Sequence, residues 1–262
     1  MEWIITAGAT SEDIDTVRSI TNHATGALGS RVAEQLAVRG GDRVSKIYYI
    51  CEASAQKPDL PCVEVRLVHG VEETAKTLRK LLTARPIAGV VHSMAVSDYT
   101  VSAAADIDGL AAALESCLQN GPLPTGRELR TLLCESLSCQ SRFSENGKLS
   151  SDVEHMVLLL RKTPKIIGLI KKTAPTTRLV GFKLLDGVAH EQLIDTAYAL
   201  LLKNGCDFVL ANDLRSIRAG CHTGYLVGPD RSITQADGKT AIAALIADRL
   251  LSFFPQQGED FP

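Results

Sequence analysis

The spacing of apolar residues changes several times along the chain, and each change marks an element. Trp3 to Thr6 is a short apolar run of strand length, after which Ala27, Leu28, Ala33, Leu36 and Ala37 recur at helical spacing as far as Gly40-Gly41. The polar stretch between strand and helix runs to roughly twenty residues, whereas a strand-to-helix connection ordinarily needs about two to six, so it reads as a binding surface. Lys46 to Cys51 and Val63 to Val68 are β-rich runs on either side of a polar segment containing Pro58 and Pro61. Val71, Ala75, Leu78, Leu81 and Leu82 then repeat with a helical period, and Gly89 to Ser93 returns to an apolar strand. This strand-helix-strand rhythm predicts an α/β fold with a mostly parallel sheet.

From Val101 to about Gln140 the pattern weakens into an alanine-rich piece and a turn-rich Asn120 to Gly126, so residues 101–147 are expected to form a mobile insertion or an intersubunit arm. Ser144 to Gly147 is a turn signal, and Lys148-Leu149 with His155 to Leu160 suggests a β-hairpin with Lys148 just past its tip. Pro164 opens a basic amphipathic helix, and Leu179 to Leu184 rejoins the sheet. Gly187 to Asn204 reads as the longest helix, capped by Gly205, and Phe208 to Ala211 as a buried strand ending at Asn212-Asp213. Tyr225 to Val227 is expected to pair with Ile233 across Gly228-Pro229-Asp230, before a final helix from about Lys239 to Leu251. No internal repeat or boundary interrupts the series, so residues 1–262 are expected to form a single domain.

Composition narrows this picture. A formal charge of −2 without long runs of one sign argues against nucleic acid as a partner. The seven cysteines lack CxxC spacing and read as reduced thiols, and no apolar run approaches the roughly eighteen residues of a membrane span, so a soluble cytoplasmic protein is expected.

In an open parallel sheet, ligands collect beyond the carboxyl ends of the strands. That rule selects Gly8 to Thr10, Met94 to Asp98, Phe182-Lys183 and Asn212-Asp213. Gly26 and Gly29 let backbone N–H groups approach an anion at the start of a helix, and Thr25 adds a hydroxyl, although neither GxGxxG nor GxxxxGK[ST] is present. Arg18 suits a carboxylate or phosphate and Asn22 an amide-like ligand, the alternatives being a surface arginine and a turn asparagine. Asp13 and Asp15 could recruit metal or lie in a solvated loop. Asp98 could contact Mg²⁺ or a ligand amide, or cap the next segment. Lys148 suits a triphosphate, or is simply exposed. Phe182 reads as core, with base stacking the other use of a strand-end phenylalanine. The cysteines form no catalytic set, and His69, His155, His190 and His222 show no ligand spacing.

Taken in order, ITAGATSEDIDTVRSITNHATGALG, AVSDY, the KLSSD stretch, KTPKII, VGFKL and AND resemble the phosphopantothenate-cysteine ligase family, over nearly the whole chain except Val101 to Gln140. The resemblance implies a Rossmann-like three-layer fold with a β-hairpin flap or dimerisation arm. It implies a cytoplasmic homodimer that joins phosphopantothenate to cysteine, driven by a nucleoside triphosphate with Mg²⁺, CTP rather than ATP, through an acyl-CMP intermediate. The family often carries a flavin-dependent decarboxylase as well; with Met1 directly before the ligase portion, a stand-alone form without flavin is expected. Carried over, Gly8, Thr25, Gly26 and Gly29 resemble phosphate contacts, and Phe182 and Asn212 lie near the nucleoside. Asn22, Ala95 and Asp98 resemble the phosphopantothenate pocket, Arg18 an arginine reaching the neighbouring subunit's substrate, and Lys148 the lysine of a mobile flap. Asn22 and Lys148 are the catalytic candidates; metal ligands are not specified. Two departures stand out: Ala24-Thr25-Gly26 replaces the usual Ser-Ser-Gly, and Met94-Ala95 the usual Ala-Ala, which should narrow the pocket wall. The rival readings are an NAD(P)-dependent reductase, which lacks the glycine spacing and a Tyr-x-x-x-Lys pair, and a non-enzymatic nucleotide sensor.

Overall fold

A computed structural model describes residues 1–119, 121–122, 124–139, 148–149 and 152–255. In chain order the elements are β1 Glu2–Ala7, β2 Ser11–Asp13, β3 Ser19–Thr21, α1 Ala27–Gly40, β4 Lys46–Cys51, β5 Val63–Leu67, α2 Gly70–Ala84, β6 Ile87–His92, β7 Tyr99–Asp106, α3 Ile107–Gln119 and α4 Gly126–Cys139. There follow β8 Met156–Lys162, α5 Ile166–Thr173, β9 Arg178–Leu185, α6 His190–Asn204, β10 Phe208–Asp213, α7 Leu214–Arg218, β11 Thr223–Val227, β12 Ile233–Asp237 and α8 Lys239–Leu251. The chain divides into two compact units, one comprising Met1–Thr10, Asn22–Val96 and Lys165–Pro262, the other Ser11–Thr21 and Ser97–Pro164.

The first unit is built on a sheet ordered β12-β11-β10-β9-β6-β1-β4-β5, in which β10, β9, β6, β1, β4 and β5 run parallel, β11 pairs antiparallel with β10, and β12 pairs antiparallel with β11. Strand β1 sits between β4, to which the chain proceeds next, and β6, where the winding has reversed. Its carboxyl end is therefore the topological switch point. Both sheet faces are covered, so β1 is apolar at every second residue on each side. Ile4 packs with Leu78 of α2, Ile170 of α5 and Ile194 of α6, whereas Trp3 and Ile5 pack with Leu36 of α1 and Ile246 of α8. A strand buried on both faces reads as a continuous run rather than an alternation. Helix α6 ends at Gly205 with φ +62, the left-handed conformation expected of a glycine cap. The β11–β12 hairpin pairs Val227 with Ile233, as expected. Among the described residues no helix is long and apolar enough to cross a membrane.

The second unit departs from expectation. The long loop after β1 contains a small antiparallel hairpin, β2 with β3, pairing Glu12 with Ile20. The alanine-rich segment is partly a strand: β7 pairs antiparallel with β8, from Tyr99 opposite Lys162 to Asp106 opposite Met156. Alanine favours helix and is depleted in strands, which hid β7 from its sequence. Ala103, Ala104 and Ala105 are buried, as is Leu137 of α4. The stretch from Lys148-Leu149 to His155–Leu160 suggested a β-hairpin; the sheet partner of β8 is β7, more distant in sequence than a local turn would give. The expected turn at Ser144 to Gly147 lies outside the described residues.

Candidate functional site

At the tip of β1 the chain turns through Gly8 and later Gly26, with φ +81 and +78, a conformation that favours glycine. A β-carbon on Gly8 would fall 2.7 Å from Ala55 Cβ, and one on Gly26 3.2 Å from the Gly8 nitrogen, so the two backbones touch. One on Gly29 would fall 2.6 Å from Ala7 Cβ and 2.7 Å from Ser93 Oγ. Its missing side chain lets the first turn of α1 rest on the ends of β1 and β6. The Tyr49 hydroxyl braces this turn, donating to the Gln56 carbonyl at 2.9 Å with the Gly26 carbonyl 3.3 Å away. Burial pushes the Tyr49 phenol above its ordinary value, so it stays a protonated donor. Gln56 N–H in turn donates to the Thr25 carbonyl at 2.9 Å, while Thr25 Oγ1 accepts weakly from Ala27 N–H at 3.4 Å. No acidic residue occupies the first turn of α1, so no local carboxylate offsets the positive end of its dipole.

The segment after β6 completes this floor. Ala95 N–H donates to the Gly8 carbonyl at 2.8 Å, and its own carbonyl accepts from Thr10 N–H at 3.2 Å and from Asn22 Nδ2 at 3.3 Å. Gly8, Thr25, Gly26, Gly29, Asn22 and Ala95, scattered in sequence, thus meet at the switch point. Met94 stands beside Ala95, where the family's usual residue is alanine. Its side chain is buried in the core against the α2 face. Beneath the site, His92 at the end of β6 is buried with Nδ1 2.7 Å from Thr6 Oγ1, and desolvation lowers its pKa to about 4, leaving it neutral. The sequence signal for His92 is a lone polar residue ending the otherwise apolar β6, whereas Tyr49 lies inside β4, two residues before its end, where nothing in sequence separates it from a core tyrosine.

Phe182 lies within β9 and packs partly buried against the α1 and α8 cluster, in line with its reading as core. Asn212 near the end of β10 is buried, with Nδ2 donating to the Thr223 carbonyl at 2.9 Å. The neighbouring Asp213 accepts from Gly187 N–H at 2.8 Å and Arg215 N–H at 2.9 Å, and these bonds hold its carboxyl below the usual range.

Arg18, Asp98 and Lys148 belong to the second unit. Arg18 binds Asp15 through Nε at 3.0 Å and Nη2 at 2.6 Å. Asp15 is thus committed to an ion pair. The Asp98 carbonyl accepts from Thr163 N–H at 3.0 Å, which ties the start of β7 to the end of β8. Lys148 is exposed. Among the described residues no three His, Cys, Asp or Glu side chains gather into a metal site.

A doubly wound parallel sheet, with a glycine-lined helix N-terminus at its switch point, defines a Rossmann-like protein whose strand ends can hold an anionic ligand. Residues 1–108 match the family model of the DNA/pantothenate metabolism flavoprotein C-terminal domain. The crystal structure of the DNA/pantothenate metabolism flavoprotein from Streptococcus pneumoniae is 33% identical, with TM-score 0.77, over 97% of this chain and 99% of that one. The chain belongs to this family, and the resemblance carried by its motifs is borne out. The coenzyme A biosynthesis bifunctional protein CoaBC of Thermococcus kodakarensis is 29% identical over 227 residues, 87% of this chain and 45% of that protein. The chain spans about half the length of the curated relatives it matches. A Cab2 mutant in complex with phosphopantothenate-cysteine shares the fold at TM-score 0.64 and 16% identity, over 96% of this chain and 85% of that one.

Proposed function

We propose that the chain condenses phosphopantothenate with cysteine at the expense of CTP, through an acyl-CMP intermediate, giving phosphopantothenoylcysteine, CMP and pyrophosphate. The observation that carries this reading is the meeting of Gly8, Gly26, Gly29, Asn22 and Ala95 at one switch point, in a family with relatives named for coenzyme A biosynthesis.

In the first half-reaction, an oxygen of the phosphopantothenate carboxylate forms a bond to the α-phosphorus of CTP, and the bond from that phosphorus to pyrophosphate breaks. Such chemistry depends on positioning and charge neutralisation more than on a protein nucleophile. The glycine backbone and the first turn of α1, with Thr25, receive the phosphates, and Lys148 offsets the charge developing on pyrophosphate. Phe182 and Asn212 are assigned to the nucleoside side. In the second half-reaction the amine nitrogen of cysteine attacks the acyl carbon, the carbon–oxygen bond to CMP breaks, and the amine releases its proton. Asn22, its amide oriented by the bond to Ala95, is assigned to the activated carbonyl, with Ala95 and Asp98 in the phosphopantothenate pocket. Magnesium is assigned to the nucleotide, arriving as part of that substrate, because Mg²⁺ characteristically binds through phosphates with few protein ligands.

A homodimer forms part of the proposal. Tyr99, Leu160 and Met156 of the two-stranded β7–β8 sheet are 48%, 41% and 40% exposed, and a ribbon of two strands is marginal until its apolar side chains are covered. Arg18 commits Nε and Nη2 to its own chain and is assigned, through Nη1, to phosphopantothenate held by a second copy. The deciding experiment supplies phosphopantothenate and cysteine with CTP and with ATP side by side and follows pyrophosphate and amide. Pyrophosphate and amide in equal amounts, faster with CTP, support the proposal. Nucleotide binding without pyrophosphate identifies a sensor and defeats it.

A further inference from the structure

Both backbone groups of Leu149 are held by side chains of the β2–β3 hairpin. Leu149 N–H donates to Asp15 Oδ2 at 3.1 Å, and the Leu149 carbonyl accepts from Arg18 Nη2 at 3.3 Å. Asp15 Oδ2 also takes the two Arg18 side-chain bonds, while Oδ1 accepts from Val17 N–H and Arg18 N–H at 2.8 Å each. The Asp15 side chain is wholly buried, and Leu149 is 4% exposed. A buried carboxylate is tolerable when it is saturated in this way. The Arg18 guanidinium beside it holds the Asp15 carboxyl well below the usual carboxylate range, so the pair persists through neutral and mildly acid pH. The hairpin is also rigid in its own right, since the Arg18 carbonyl accepts from Ile14 N–H at 2.8 Å and Asp15 N–H at 3.2 Å.

A lysine is a point charge on a flexible stem, and what its backbone does decides where that charge spends its time. We propose that Asp15 and Arg18 are positioning residues for Lys148, gripping the neighbouring Leu149 by its N–H and its carbonyl so that the ammonium is presented from a fixed backbone. This rests on the reading of Lys148 as the lysine that offsets charge on pyrophosphate. Asp15, which sequence left between a metal ligand and a solvated loop, thereby acquires a role in the reaction without touching substrate.

The test is a double-mutant cycle. Asp15→Asn keeps the Oδ1 acceptor that closes the turn but puts a donor where Oδ2 accepted from Leu149 and Arg18; Asp15→Ala removes both. At saturating nucleotide, Asp15→Asn should slow pyrophosphate release roughly tenfold with the nucleotide KM almost unchanged, because small misplacements of catalytic groups reach this size. Lys148→Ala should slow it about a hundredfold. At saturating phosphopantothenate, where an altered hold of Arg18 on that substrate no longer limits the rate, the double variant should be no slower than Lys148→Ala alone, since the effect of Asp15 on this step passes through the lysine. Hydrogen exchange at the Leu149 amide should quicken at least tenfold in Asp15→Asn, and further in Asp15→Ala. Multiplying effects in the double variant, or unchanged Leu149 protection, would overturn the proposal. Normal pyrophosphate release in Lys148→Ala would remove the lysine from the mechanism and the positioning role with it; the clamp itself would then stand or fall on the Leu149 exchange.

Discussion

In the first unit the candidate ligand groups are mostly backbone atoms, and in the second they are long side chains. Gly8, Gly26, Gly29 and Ala95 offer amides and carbonyls set by a sheet covered on both faces. Arg18, Asp98 and Lys148 stand in connecting segments outside the strands of that unit. Fixed dipoles suit the binding of an anion that is present throughout, because they need no reorganisation when it arrives. Full charges carried on side chains suit a step in which charge develops and then departs. The difference between the units should therefore show first in stability and then in chemistry.

The largest contrast comes from one substitution made twice. Leu36→Ala removes a fully buried side chain between α1 and β1 and should cost about 2–5 kcal/mol, read as a lowered urea midpoint. Leu160→Ala on β8 should cost under about 0.5 kcal/mol in dilute protein, acting instead on self-association. Equal losses at the two positions would erase the contrast.

Acid offers a smaller one. His92 is neutral in the folded protein, with its pKa lowered from 6.5 to about 4, so below 6.5 the unfolded chain binds the extra proton. Stability from this group is complete above pH 6.5 and is lost as pH falls towards 4, with a slope of up to about 1.4 kcal/mol per pH unit. His92→Leu should flatten the decline between pH 7 and 5; an unchanged slope would show that other groups set it.

The smallest effect is local. Gly8→Ala meets both a positive φ and the Ala55 methyl, and should weaken nucleotide binding roughly tenfold while leaving the Leu149 amide protected. Adding Ala55→Gly should recover part of the loss. Unaltered binding in Gly8→Ala would take the glycine turn out of the phosphate site.

The sheet was legible because its signals are local and strong. β4, α8 and the β11–β12 pair occupy the predicted positions, and the oversized loop after β1 pointed to the switch point. The second unit was not legible, for physical reasons. Ala103, Ala104 and Ala105 have helical propensity but sit in a strand whose partner is far along the chain, and β2 and β3 are too short and polar to show a period. Similarly, the Thr6 to His92 bond and the Asp15 clamp on Leu149 join residues remote in sequence. Glycine at Gly26 and Gly29 suggested an anion, but periodicity offered nothing to separate Lys148 from any exposed lysine; that assignment came from resemblance.

The central claim is that carboxylate oxygen attacks the α-phosphorus. Phosphopantothenate labelled with oxygen-18 in its carboxylate, turned over with CTP and cysteine, should yield CMP carrying one labelled oxygen per amide formed, with unlabelled pyrophosphate. Label in inorganic phosphate or pyrophosphate, or CMP without label, would contradict the acyl-CMP route.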